Sequence, residues 1–210
     1  MRLPRHPEAL AKVRHPTADD PLRVLVSGCL AGRPCGVEAT DYGLGAKLPA
    51  LARLACVRVT NFCPEDFAIG TPRTMPDIHG GDGHAVLDGA ARVLDEHGVD
   101  LTEKMVRGAR AMLDHATEHR VELAILTDMS AACGTQVISD GCRLVPVRRF
   151  TNGVGVAAAL LLRAGIAVVS QRDFRTLGLL HAHLDPTFSP DPSALDHHET
   201  AWFKETFPSR

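Results

Sequence analysis

Three of the six cysteines lie just beyond a short apolar run, each with a glycine or proline at its side. Cys29 follows Arg23-Val-Leu-Val-Ser27 and Gly28; Cys63 precedes Pro64; Cys133 lies in Ser130-Ala-Ala-Cys-Gly134, past the run Val121–Thr127. Soft thiolates suit zinc or an iron–sulfur cluster. Their separations of 34 and 70 residues differ from the close spacings of zinc ribbons and bacterial ferredoxins. Spacing alone therefore gives a metal little support, and a buried cysteine often serves only as a small hydrophobe. The case for chemistry rests on topology: if the runs are parallel strands, their carboxyl ends meet at one edge of the sheet, where ligands bind in open α/β folds. Cys35 is close enough to Cys29 to line the same pocket. Cys56, at the start of a strand, and Cys142, in a hairpin, read as structural.

Other groups flank these thiols. Glu65, two residues after Cys63, is placed to move a proton or to cap a helix. Ser130 either holds a substrate or bonds its own turn. Arg73 offers a planar fork to a carbonyl or anionic group, or forms a structural salt bridge. Asp128 is a further acid/base candidate. The eleven histidines include His79 and His84 around a glycine loop, His181 and His183, and the run His197-His198-Glu199. None builds an HExxH motif, and Gly80–Gly83 lacks a P-loop ending.

The elements that must position these groups alternate. Arg23–Ser27 reads as a strand covered on both faces. Leu48, Leu51 and Leu54 repeat with a helical spacing, and Val57 and Val59 mark a second strand that Pro64 ends. Gly70–His84 reads as a long Pro/Gly-rich loop. Val86–Ala90 carries an Asp-Gly hairpin signal, with a helix as the alternative. A helix begins with Thr102 as N-cap and buries Met105, Ala109, Met112 and Ala116. The third strand is Val121–Thr127, followed by a small hairpin over Gln136–Leu144 turning at Asp140-Gly141. Asn152 is placed to cap a helix over Gly153–Ala164, closed by Gly165. A fourth strand, Ile166–Ser170, and a helix over Asp173–His183 complete the pattern. The expected fold is α/β: a mostly parallel, open, Rossmann-like sheet with helices on both faces and small hairpin insertions. The expected organisation is an arm over 1–21, an α/β domain over 22–172 and a helical extension and tail over 173–210.

Composition narrows the function. Hydrophobic residues make up 45 % and aromatics 4 %, with a net charge of −2. That supports an aliphatic core and gives no basic footprint for duplex nucleic acid. The charged, proline-broken N-terminus lacks a signal peptide's apolar region, and no run is long enough to span a bilayer. The expectation is a cytoplasmic protein with reduced thiols that acts on a small molecule.

Cys29-Leu30-Ala31-Gly32, Cys63-Pro64-Glu65, Thr71-Pro72-Arg73 and Ser130-Ala131-Ala132-Cys133-Gly134 occur in an order that resembles the thiouracil desulfidase family, long catalogued as bacterial domain of unknown function 523. The likeness runs over roughly residues 22–172. It implies an oxygen-sensitive [4Fe–4S] cluster held by Cys29, Cys63 and Cys133, with one iron open to the sulfur of a thiolated base. The implied reaction is non-redox: water replaces sulfur at carbon and sulfide is released. Glu65 and Ser130 are then the catalytic candidates and Arg73 a substrate-binding one. Many relatives carry Ser-Pro-Ser-Cys-Gly where this chain has Ser-Ala-Ala-Cys-Gly, so the substrate, a thiolated nucleobase or a related small thiocarbonyl compound, stays open. Two alternatives also remain open: a binding protein for a metal or thiolated nucleoside without turnover, and a cluster-free enzyme with Cys29 as nucleophile.

Overall fold

The computed structural model describes residues 13–208. Four parallel strands, β1 (Leu22–Ser27), β2 (Val57–Phe62), β5 (Leu123–Leu126) and β8 (Ala167–Ser170), form a sheet in the order β2-β1-β5-β8. β1 lies inside the sheet, paired with β2 from Leu22↔Val57 to Ser27↔Phe62 and with β5 from Val24↔Leu123 to Val26↔Ile125. Its consecutive apolar residues follow from that position, since a central strand covered by both layers has no solvent face.

Side chains alternate across the sheet. Val24, Val26, Leu123 and Ile125 join Leu30, Leu51, Leu177 and Leu180 on one face. Leu25, Ala124 and Leu126 join the other, where α3 (Thr102–Glu118) contributes Met105, Ala109, Met112 and Ala116 and α4 (Val156–Arg163) contributes Val156, Ala158 and Leu161. The first face is covered by α5 (Phe174–Leu184) and by two 3-10 turns, Gly45–Lys47 and Ala50–Arg53. α1 (Pro64–Ala68) packs on α3. That packing needs Gly108, because a Cβ there would lie 2.2 Å from the Pro64 carbonyl oxygen. The remaining elements are α2 (Gly83–Leu87), α6 (Ala201–Thr206) and the antiparallel pairs β3–β4 (Asp77–His79, Arg92–Leu94) and β6–β7 (Val137–Ser139, Phe150–Asn152). Among the described residues no helix is long and apolar enough to cross a membrane.

The α/β reading is correct, with local corrections. The loop expected over Gly70–His84 contains β3 and the start of α2. The Asp88-Gly89 step ends α2 rather than turning a hairpin, because Asp82 accepts from the His84 and Ala85 N–H groups and starts a helix. β6 pairs with β7 across a loop of about ten residues, not at Asp140-Gly141; Gly141 instead donates its N–H to Ile78. Asn152 ends β7, and Gly155 stands at the N-cap of α4. Thr102 is the first residue of α3, not its cap, and its hydroxyl accepts the Val93 N–H. The Leu48–Leu54 repeat forms 3-10 turns, with Pro49 preceding the second. Of the expected N-terminal arm, residues 1–12 lie outside the described residues.

Candidate metal centre and active site

β1, β2 and β5 end at one edge of the sheet, and the loops that leave them surround a cavity of about 330 Å³ lined by Cys29, Cys35, Cys63 and Cys133. All six cysteines are free thiols. Cys29 lies two residues past β1, with its Sγ 3.2 Å from the Thr127 hydroxyl. Cys63 ends the β2 run. Pro64 cannot continue the ladder and instead opens α1, leaving Cys63 as N-cap with its Sγ accepting the Asp66 N–H at 3.4 Å. Gly28 makes room between them: a Cβ there would meet Cys35 Sγ at 3.0 Å and Cys63 Cβ at 3.1 Å.

Cys133 comes from the loop after β5, which is tied to the start of α4 by the Val156 and Ala157 N–H groups on the Ala131 and Ala132 carbonyls and is shaped by two side chains. Ser130 Oγ accepts the Ala132 and Cys133 N–H groups at 3.2 and 3.0 Å. Asp128 Oδ1 accepts from Met129, Thr135, Gln136 and Val137 at 2.9–3.2 Å. The serine turn expected from the sequence is present, and its hydroxyl also reaches outward to donate to Glu65 Oε1 at 3.0 Å.

The thiols differ electrostatically. Hydrogen bonding with Cys35, then with Thr127 and the Leu30 N–H, lowers Cys29 to about 7 against burial and the Glu65 charge. Contact with Cys35 also lowers Cys63, with the Asp66 N–H and the Arg73 charge adding to it. Cys35, set against both sulfurs, is raised by the same contacts. Burial, then the charge at Cys63, pushes Cys133 well above the ordinary range. Several thiols in one cavity cannot all ionise without a cation to offset them. A soft cationic group binds such donors and releases their protons, so this donor set fits a thiolate-ligated metal centre.

The acid and the cation chosen from the sequence meet each other. Arg73 Nη2 donates to Glu65 Oε2 at 2.5 Å, with side-chain exposures of 4 % and 11 %. Arg73 Nη1 serves the Cys35 and Gly70 carbonyls and the Thr71 hydroxyl. The guanidinium is thus committed to the salt-bridge role, and only its buried Nε is unpartnered. Glu65 does not cap α1; it bridges Arg73 and Ser130. Cys56 and Cys142 do not line the cavity.

Two contacts escaped the sequence. Cys35 lines the cavity, as its nearness to Cys29 suggested, but it also touches Cys63. His197 reaches Asp128, with Nδ1 2.6 Å from Oδ2, across 69 residues; nothing local in the sequence marks that pairing. Neither His79 nor His84 lines the four-cysteine cavity. Asp173, Asp196 and His198 approach one another at the C-terminal side.

The chain matches the 2-thiouracil desulfurase family over residues 24–173. The chain belongs to this family. A Bacillus subtilis (strain 168) relative, recorded as uncharacterized protein YbbK, is 33 % identical over 155 residues, which is 73 % of this chain and 99 % of the relative. The structure is also similar to that of the [4Fe-4S]-dependent thiouracil desulfidase TudS, with a TM-score of 0.59 and 31 % identity over 75 % of this chain and 96 % of that one. The desulfurase match contains all four thiols of the cavity, Glu65, Arg73 and Ser130, and ends before α5.

Proposed function

We propose that this member of the desulfurase family is a [4Fe–4S]-dependent, non-redox desulfidase that removes sulfur from a thiolated nucleobase or a related small thiocarbonyl compound. The observation that carries the reading is the convergence of Cys29, Cys63 and Cys133 from three strand ends on one cavity beside Glu65. These three cysteines would hold the cluster. When bound, it supplies a soft iron Lewis acid for the substrate's sulfur. The net change is R₂C=S + H₂O → R₂C=O + H₂S, with no change of oxidation state.

The chain's own groups handle the proton. Glu65 accepts it from the attacking water and returns it to the departing sulfide. Arg73 and Ser130 hold the carboxylate from two sides, which keeps it oriented through both transfers. Ser130 also joins the acid to the loop that presents Cys133. Here Arg73 positions Glu65 and does not grip the substrate.

Iron and acid-labile sulfide on protein prepared without oxygen, followed by sulfide release from 2-thiouracil, tests the proposal. About four of each per chain is expected. Zinc, or no metal after anaerobic reconstitution, rejects it. The lowered Cys29 thiol favours one rival, a cluster-free nucleophile; covalent labelling of Cys29 by substrate in active, metal-free protein would establish that reading instead.

A further inference from the structure

The C-terminal segment, outside the family match, reaches Asp128, a residue that lines the cavity. His197 is 3 % exposed and stands in a 3-10 turn, His197–Glu199. Its Nδ1 meets Asp128 Oδ2 at 2.6 Å, and its backbone N–H reaches Asp173 Oδ1 at 3.1 Å. Trp202 stacks on the ring at 5.5 Å and 9°, and Phe203 meets it edge-on. The turn is anchored beneath. Asp196 takes the Thr176 N–H and hydroxyl at 2.8 and 2.6 Å, tying the segment to the first turn of α5.

Asp128 is the other half of the arrangement. It is 4 % exposed, and one oxygen gathers four backbone N–H groups from the loop bearing Ser130 and Cys133. The other oxygen faces His197. Buried carboxylate oxygens need partners, and a charge-assisted bond holds such a group more firmly than a neutral one. Without His197, the carboxylate must turn toward another donor or admit water, and either change draws on the bonds that shape the loop.

We infer that His197 is a positioning residue for the desulfidase site: through Asp128 it fixes the loop that presents Cys133 and Ser130, so the C-terminal segment completes the centre. The consequence for cluster binding rests on the proposed function; the consequence for the loop does not.

The test uses the full chain with His197→Ala, His197→Gln and His197→Asn. Asn sets an amide N–H where Nδ1 stood, whereas Gln sets it one bond farther out. In cluster-free folded protein, iodoacetamide labelling of Cys133 is read by peptide mass, with Cys56 as the internal reference. Ala and Gln should raise Cys133 labelling about tenfold or more while Cys56 stays within about twofold, as local opening would. Asn should return Cys133 to within about threefold of the parent chain. If Ala does not fold, Gln against Asn carries the comparison. Unchanged Cys133 labelling, an equal rise at Cys56, or Asn performing no better than Gln overturns the inference. Reconstituted iron content and the cluster's absorption spectrum form the second arm, in which Ala and Gln should lose iron faster in air than Asn. A parent chain that binds no cluster defeats the proposed function and leaves the labelling arm to decide the role of His197.

Discussion

The two walls of the cavity are held by different means. Cys29, Cys35 and Cys63 ride on segments leaving β1 and β2, which pair along six residues and continue with Gly28 N–H to Phe62 at 2.9 Å. Their sulfurs find partners nearby: the Thr127 hydroxyl, the Asp66 N–H and one another. Cys133 rides on a loop between β5 and β6 that no sheet ladder holds; Ser130 and Asp128 within it, Gln171 and His197 beyond it, and backbone bonds from Gly155, Val156 and Ala157 at the start of α4 order it. The first wall is rigid because the sheet is rigid. The second is only as rigid as its buried polar bonds. The thiols follow suit: burial holds the proton on Cys133, while Cys29 is lowered to about 7. The proton on Cys133 should therefore leave only when a cation arrives, which couples ionisation of this thiol to loading of the centre.

The sharpest way to break this comparison is to remove one thiol at a time. Cys29→Ser, Cys63→Ser and Cys133→Ser should each lower sulfide release by about 100-fold or more with loss of iron, because a three-ligand cluster has no spare donor. Cys35→Ser should keep the iron and remain within about tenfold of the parent rate, since a hydroxyl still bonds Cys29 and Cys63. Iron content measured beside activity separates the cases. Loss of iron in the Cys35 variant would make the first wall, and not Cys133, the principal donor set.

The acid that bridges the walls comes next. Glu65→Gln keeps the shape and bonding plane but removes the proton acceptor, so kcat should fall by about 10²–10⁴ with KM little changed. Anaerobic single-turnover sulfide release would measure it, and an unaltered kcat would end the role assigned to Glu65. Arg73→Lys should have a smaller effect, about tenfold on kcat, because a lysine cannot reproduce the forked bonding to Glu65, Thr71 and the Cys35, Gly36 and Gly70 carbonyls. Arg73→Ala should instead show itself in stability, about 3–5 kcal/mol in urea unfolding, since it strands a buried carboxylate.

How much of this was legible follows the same division. The strands were visible because Val24-Leu25-Val26 and Leu123–Leu126 are continuous apolar runs, and a parallel reading of them brought Cys29, Cys63 and Cys133 to one edge. Glu65 and Ser130 were visible as residue types beside those cysteines. Their mutual bond was not, nor was the capture of Arg73 by Glu65, because such pairings depend on how loops fold back. Asn152 and Asp140-Gly141 misled for a related reason. Both have strong local preferences, yet β7 claimed the first for a ladder and Ile78 took the N–H of Gly141. His197 was least legible, since its partner is distant in the chain and the His197-His198-Glu199 run builds no metal motif.

An effect on stability alone, with no change in the catalytic groups, probes the support behind the second wall. Asp173 is buried, and burial together with the nearby Asp196 raises its carboxyl from 3.8 to about 6. Between those pH values the folded chain keeps a proton that the unfolded chain has released. The contribution of this group to stability is therefore full below about pH 4, declines as pH rises, and is lost above about pH 6, a change of about 3 kcal/mol at most. Asp128 works in the opposite sense. It is lowered overall, burial being outweighed by His197 and the loop N–H groups, so its contribution is present above about pH 4 and lost only at lower pH. The two effects separate in an Asp173→Asn variant. Urea midpoints between pH 4.5 and 7.5 should fall for the parent relative to the variant, most steeply near pH 5–6. Parallel profiles would mean that Asp173 stays ionised in the folded chain, with the Gln136 amide and the Ser170 and His197 N–H groups outweighing its burial.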